Sequence, residues 1–410
     1  MQLVAYGTQD IVLSTNPEIT FFKVVYRRHT NFAIESVSQT FNGTVGFNKK
    51  VSAEISRNGD LISDCWLEIV LKKSGGPNTT FFPAEALIRE IKLEIGGQQI
   101  DKHYADSLRL HDCLFRHDDE RRGYRRLTDF VDNEPAGATK RFYLPLVFFF
   151  NTQPGLALPL IALQYHVCRI EIDFANAPEG IDATFDPQVT LWVDYVFLDV
   201  EERRRFAQSA HEYLIEQTQF TGSESVTLNE NSTTSIRTRL NFNHPCKYLA
   251  WVFKGPKHGQ YTAFPTSDIG NLATFADALA PLHDAKLTLN GHDRFDTRRG
   301  SYFNMVQPMQ TMKARIPAGI YLYSFALKPQ EHQPSGTCNF SRIDNATLQM
   351  TLKKANVSNV GITAVSPVPL ISDEAATVTN AKDLTSLNIY AKNYNILRIM
   401  SGMGGLAYAA

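Results

Sequence analysis

The densest run of side chains able to ligate a metal or move a proton is His111, Asp112, His117, Asp118, Asp119 and Glu120. A metal site needs such residues at spacings that converge on one point, and neither the HExxH helix nor the EF-hand loop spacing is present. Arg121, Arg122, Arg125 and Arg126 follow directly, so the expected structure is a salt-bridged surface loop, and no metal is assigned. Gly402, Gly404 and Ala407 satisfy the G-x-G-x-x-A spacing of a dinucleotide loop. That loop works by aiming a helix N-terminus at a pyrophosphate. With Tyr408, Ala409 and Ala410 alone after it, a flexible or closely packed strand end is expected, and no cofactor. No G-x-S-x-G elbow occurs, and Ser, His and Asp are too common for their presence to argue a triad. The five cysteines, Cys65, Cys113, Cys168, Cys246 and Cys338, include no C-x-x-C pair. They are expected as free thiols of a reducing compartment. The chain reads as a non-enzyme with no catalytic, cofactor-binding or metal residues.

Modification is the remaining chemistry. N-x-S/T sequons stand at Asn42, Asn78, Asn231, Asn339, Asn345 and Asn356. The stretch from Met1 to Asp10 lacks a basic region followed by an apolar one, so no secretory leader is expected and these sequons are weak guides. The most apolar stretch, Phe142 to Val167, is broken by Pro145, Pro154 and Pro159, which leaves no clean bilayer span. Soluble, intracellular assembly is the expectation.

At 410 residues the chain exceeds what one core usually holds, so two domains are expected. A formal net charge of −1 removes the overall positive field that coating nucleic acid needs. The start is little more basic, with Lys23, Arg27 and Arg28 set against Asp10 and Glu18. No direct sequence-specific nucleic-acid partner is assigned.

The elements that position these residues read as strands. Abundant Phe, Tyr, Val, Ile and Thr in short segments bounded by Gly, Asn, Asp or Pro favour an all-β sandwich over alternating βα units. In Leu61 to Leu71, Leu61, Cys65, Leu67, Ile69 and Leu71 form a nearly complete apolar row. Ile91, Leu93 and Ile95 alternate with Lys92 and Glu94, and Gly96-Gly97 supplies the positive-φ pair of a tight hairpin. Internal repetition points to a duplicated domain. Lys92-Leu93-Glu94-Ile95-Gly96-Gly97 recurs as Lys286-Leu287-Thr288-Leu289-Asn290-Gly291, Trp66 matches Trp251, and the alternation of Arg169 to Phe174 recurs in Thr347 to Leu352. Between the halves, Phe206, Ala210, Tyr213 and Leu214 fall at helical spacing, which places a connecting helix and a boundary near residue 210. Arg203, Arg204 and Arg205 follow Glu201 and Glu202 and read as a solvated or paired face.

Two segments are more specific. Asn16 to Ala33 and Asn393 to Tyr408 resemble signature segments of the major capsid proteins of nucleocytoplasmic large DNA viruses, especially the algal-virus and mimivirus-related group. Tyr195 to Gln217 resembles that family's inter-domain connection. The resemblance implies two tandem eight-stranded antiparallel jelly rolls, a double jelly roll, with short helices in loops and linker. Its layout is an N-terminal arm over 1–28, a first jelly roll over 29–205, a linker helix over 206–217 and a second jelly roll over 218–410. It further implies a homotrimer forming a pseudo-hexagonal capsomer of an icosahedral virion, assembled in host cytoplasm. The implied partners are neighbouring capsomers, minor capsid and penton proteins and, through minor proteins, an inner membrane layer. The alternative is a carbohydrate-binding β-sandwich, which would need exposed aromatic platforms beside carboxylates. Trp66, Trp192 and Trp251 sit in apolar strand patterns and are expected in the core, which disfavours it.

Overall fold

The computed structural model describes residues 7–74, 82–130, 137–177, 181–227, 233–254, 282–314, 316, 319–353 and 386–408. After an arm carrying the short helix α1 (Asp10–Ser14), the first half has eight principal strands. These are β1 (Phe32–Gln39), β2 (Lys50–Glu54), β3 (Leu61–Lys72), β4 (Ile88–Ile95), β5 (Gln98–Tyr104), β6 (Thr139–Pro145), β7 (Cys168–Phe174) and β8 (Gln188–Leu198). The second half has β9 (His211–Ser225), β10 (Thr233–Arg239), β11 (Pro245–Lys254), β12 (Leu282–Leu289), β13 (His292–Asp293), β14 (Ile320–Ser324), β15 (Ala346–Lys353) and β16 (Ser386–Met400). A last strand, β17 (Met403–Leu406), folds back on β16.

Each half is a two-sheet jelly roll with one strand order. The first pairs β1-β8-β3-β6 in one sheet and β2-β7-β4-β5 in the other; the second pairs β9-β16-β11-β14 and β10-β15-β12-β13. Strand by strand the orders coincide, so the duplication read from the sequence is a duplication of topology. The inner faces enclose two cores. One is built on Leu67, Ile69, Leu93, Ile170 and Val193. The other is built on Leu249, Trp251, Leu287, Leu348 and Ile389. The repeated hairpin is reproduced to its dihedrals. Gly96 and Gly97 have φ of +58° and +81°, and Asn290 and Gly291 have +49° and +82°, the left-handed pair that a two-residue turn demands.

Three readings need correction. Trp66 and Trp251 lie on equivalent strands but opposite faces: Trp251 is fully buried in the second core, whereas Trp66 points outward and is half-buried, as is Trp192 opposite it. Strands of period two tolerate such a slip in a pattern match, because a shift of one residue exchanges faces. The expected linker helix over 206–217 is instead α4 (Val200–Gln208), and β9 begins at His211. Asp199 caps α4 by accepting from the Val200 N–H. Beyond it Tyr213 packs on the first core with Ile215, while Glu212 and Glu216 take the other face. Ladder pairing of β9 with β16 from His211 to Ser225 outweighs the helical spacing. Finally, the stretch expected as a salt-bridged loop forms two helices, α2 (Ala105–Phe115) and α3 (Asp118–Thr128).

Candidate functional site

Helix α2 is the piece that joins the rolls. It starts where Ser107 Oγ accepts from the Tyr104 N–H and donates to the Tyr104 carbonyl, and it presents Leu110, Cys113 and Leu114 at i, i+3 and i+4. That stripe packs on the outward face of the second roll's sheet, against Tyr248, Ala250, Val252, Leu322 and Tyr390. Aromatic contacts extend the seam, Tyr104 with Phe220 at 4.9 Å and Phe115 with Tyr248 at 6.1 Å. Buried Asp106 receives Asn388 Nδ2 at 2.6 Å and the Tyr390 hydroxyl at 3.2 Å, and pairs with Lys254 at 2.9 Å. A second polar knot lies alongside. Asp101 pairs with His103 at 2.9 Å and accepts from the Thr218 N–H of the second roll at 3.0 Å. Burial alone would raise the Asp101 pKa, but His103, Lys392 and the Thr218 N–H more than offset it and the carboxyl lies below its ordinary range.

A cavity of about 350 Å³ opens at this seam, walled by Trp66, Phe115, Leu146 and Phe149 and by Asp64, His111, Glu216 and Lys392. His111 stacks on Phe115 at 4.5 Å, and its Nδ1 is buried with no hydrogen-bond partner among the described residues. Burial, with Lys392 and Arg116 nearby, holds its pKa well below the ordinary value. The rest of the metal-friendly run disperses: Asp112 is buried and paired with Arg116 at 3.2 Å, while His117, Asp119 and Glu120 are exposed. Among the described residues no group of three or more His, Cys, Asp or Glu is placed to hold a metal.

The glycine-rich end is a latch. Gly402 turns β16 into β17, and the Tyr165 N–H donates to the Gly402 carbonyl at 2.9 Å. His166 Nδ1 lies 2.9 Å from the Gly404 carbonyl and 3.1 Å from its N–H, serving one of them according to its tautomer. A Cβ on Gly404 would meet Leu163 at 2.7 Å. Small residues here serve close packing against the first roll, and the strand-end reading holds in its packed form.

Of the sequons, Asn42, Asn339 and Asn345 lie at exposed positions, and Asn78, Asn231 and Asn356 lie outside the described residues. No described helix is long and apolar enough to cross a membrane. The seam, α2 and the latch were missed in the sequence. The signal for α2 was the spacing of Leu110, Cys113 and Leu114, hidden among charges that turn out to be buried and paired.

Nothing in this geometry, among the described residues, aims a nucleophile or a general base at a substrate; it couples two rigid sandwiches. Residues 20–199 match the family model described as major capsid protein N-terminus, and residues 202–405 match that described as large eukaryotic DNA virus major capsid protein. The chain belongs to the major capsid proteins of large eukaryotic DNA viruses. It is 57% identical to the major capsid protein of Paramecium bursaria Chlorella virus 1, covering 100% of this chain and 98% of that one. It is 44% identical to the major capsid protein of Pyramimonas orientalis virus over the same shares. Among solved structures, a chain of the PBCV-1 virus capsid superposes with a TM-score of 0.83 at 55% identity, covering 95% of this chain and 100% of that one. The Faustovirus major capsid protein, at 12% identity, shares the fold with a TM-score of 0.68 over 96% of this chain and 94% of that one. This capsid protein is a structural, non-enzymatic component of the virion, built as a double jelly roll.

Proposed function

We propose that three copies of this capsid protein form a pseudo-hexagonal capsomer, six jelly rolls in a ring, that tiles the icosahedral shell of a large double-stranded DNA virus. The observation that carries this reading is the seam: α2 holds two rolls of one topology side by side through buried apolar and ionic contacts. Identical units joined by one repeated contact close into rings, and many weak contacts at ring edges then sum to a stable shell. Neighbouring capsomers, minor capsid and penton proteins are the partners, with any inner membrane layer reached through minor proteins, and assembly takes place in host cytoplasm. The arm fits a role beneath the capsomer. Phe21, Phe22, Val24, Val25 and Tyr26 stand largely exposed beside Lys23, Arg27 and Arg28. A segment so apolar is built to be covered by a partner. Light scattering with negative-stain imaging of the purified protein tests the capsomer. A particle of three chains with a hexagonal outline is expected, and a folded, strictly monomeric protein would overturn it.

A further inference from the structure

The seam inside the chain leaves two unmatched halves of a second one. In the first roll α2 occupies the connection between β5 and β6; in the second, the connection between β13 and β14 holds α5, a π turn (Tyr302–Val306) continued by Gln307–Thr311. Helix α2 finds its seat on the second roll. Helix α5 has no such cover among the described residues: Met305, Val306 and Met309 remain 38%, 40% and 65% exposed, and no residue from 300 to 311 carries a charge.

The matching seat exists on the first roll. The sheet rows correspond by register. On the second roll Ala250 stands between Tyr390 and Leu322, and on the first Glu68 stands between Thr190 and Tyr143. The second roll's row lies under α2, with all three residues buried. On the first roll, Tyr143 is exposed while Trp66, Trp192 and Val70 beside it are half-buried. The one acid in that row is already neutralised: Glu68 pairs with Arg141 at 2.7 Å and accepts from Trp192 Nε1 at 2.7 Å. An uncharged helix carrying methionines suits such a face.

We propose that α5 of one copy seats on the outward face of β3, β8 and β6 of a second copy, so that the contact made by α2 within a chain is repeated between chains. The occupant is a second copy because, among the described residues, this helix keeps an uncovered outer side and this sheet face an unfilled seat, in the same topological relation as the pair the chain has already joined. Such a heterologous contact leaves no unmatched surface only when the ring closes. The inference rests on the capsomer reading and names the surfaces that make it.

Two variants of the full chain test it. Met309→Asp places a carboxylate on an exposed helix position with nothing of its own fold to disturb. Expected is a rise of about tenfold or more in the trimer dissociation constant, as for a central interface residue, with the monomer still folded by circular dichroism. The double variant Met309→Cys/Tyr143→Cys is expected to give a three-chain ladder on a non-reducing gel after mild oxidation, and neither single variant to do so. A wild-type trimer whose Met309→Asp form stays trimeric, with no ladder, overturns this interface and leaves the capsomer standing. A Met309→Asp monomer without a ladder overturns the proposed face. A monomeric wild type overturns both readings.

Discussion

The two glycines of one hairpin should fail differently when a methyl group is added. Gly97 has φ +81°, and no described atom lies within 4 Å of where its Cβ would stand, so Gly97→Ala meets a conformational penalty alone. A left-handed L-residue costs about 1–2 kcal/mol, offset by about 0.4–1 kcal/mol from the stiffer unfolded chain, a net loss of about 1 kcal/mol. Gly96, φ +58°, meets the same penalty and a collision: its Cβ would lie 2.3 Å from His166 Nδ1 and 2.5 Å from Cγ. The ring must move, and with it goes the contact to Gly404 that ties β17 to the first roll. Overpacking adds about 1–3 kcal/mol and an orphaned polar group about 1–3 kcal/mol more, for a total of about 3–7 kcal/mol. Gly291→Ala is the internal control, with φ +82° and open space around it in the second roll. Denaturant unfolding of the three variants gives the free energies directly, and hydrogen exchange at 403–406 reports the latch. The expected order is Gly96→Ala far below Gly97→Ala, which equals Gly291→Ala, with loss of latch protection in Gly96→Ala alone. Equal destabilisation of Gly96→Ala and Gly97→Ala would refute the argument that His166 is pinned between turn and tail.

Stability should fall as pH drops below about 6.5, because His111 has its pKa lowered in the fold and the unfolded chain therefore binds the proton first. One such group contributes at most about 2 kcal/mol between pH 6.5 and 5, and His111→Phe, which keeps the stack on Phe115, should flatten that part of the unfolding profile. Asp106→Ala strips Lys254 and Asn388 of a buried partner and should cost about 3–5 kcal/mol by denaturant unfolding, with faster exchange along α2. Leu114→Ala, fully buried in the same seam, should cost about 2–5 kcal/mol. Peptide mass mapping of virion protein should find sugar on Asn42 before Asn339, whose side chain is committed to accepting from the Ser341 N–H.

The strands and the duplication were legible because β-structure writes its period into the sequence. Leu67, Ile69 and Leu71 alternate with Trp66, Glu68, Val70 and Lys72, a row of mixed character, and the two hairpins share a positive-φ pair that few residues supply. What could not be read was which face looked inward once the outer face was also half-covered. Trp66 and Trp192 are apolar on the outward side, so alternation lost its contrast there. Helix α2 was obscured for a related reason: Asp106, Arg109 and Asp112 are charged yet buried, and Asp106 finds its partners far along the chain. The helix expected over 206–217 stopped early because β16, nearly two hundred positions downstream, claims His211 onward as a ladder partner.

The two helix seats differ in one respect that bears on assembly. Within the chain, an apolar stripe of Leu110, Cys113 and Leu114 could slide along the sheet at little cost, since any such stripe fits any apolar face nearly as well. Asp106 removes that freedom: displaced by one turn it would be a buried carboxylate without Lys254, Asn388 or Tyr390, a state several kcal/mol higher. The intrachain seam is thereby specified once, during folding, when linkage through α4 already holds the rolls close and the desolvation of an ion pair can be tolerated. Helix α5 carries no charge over 300–311, so a contact made by it forgoes both the desolvation cost and the register lock. That suits a surface that must dock between separate chains, where association has its own entropic cost and errors have to be undone before a shell is sealed. Register in the intermolecular seat then falls to shape: the methionines of α5 against the ridge formed by Trp66, Trp192 and Tyr143.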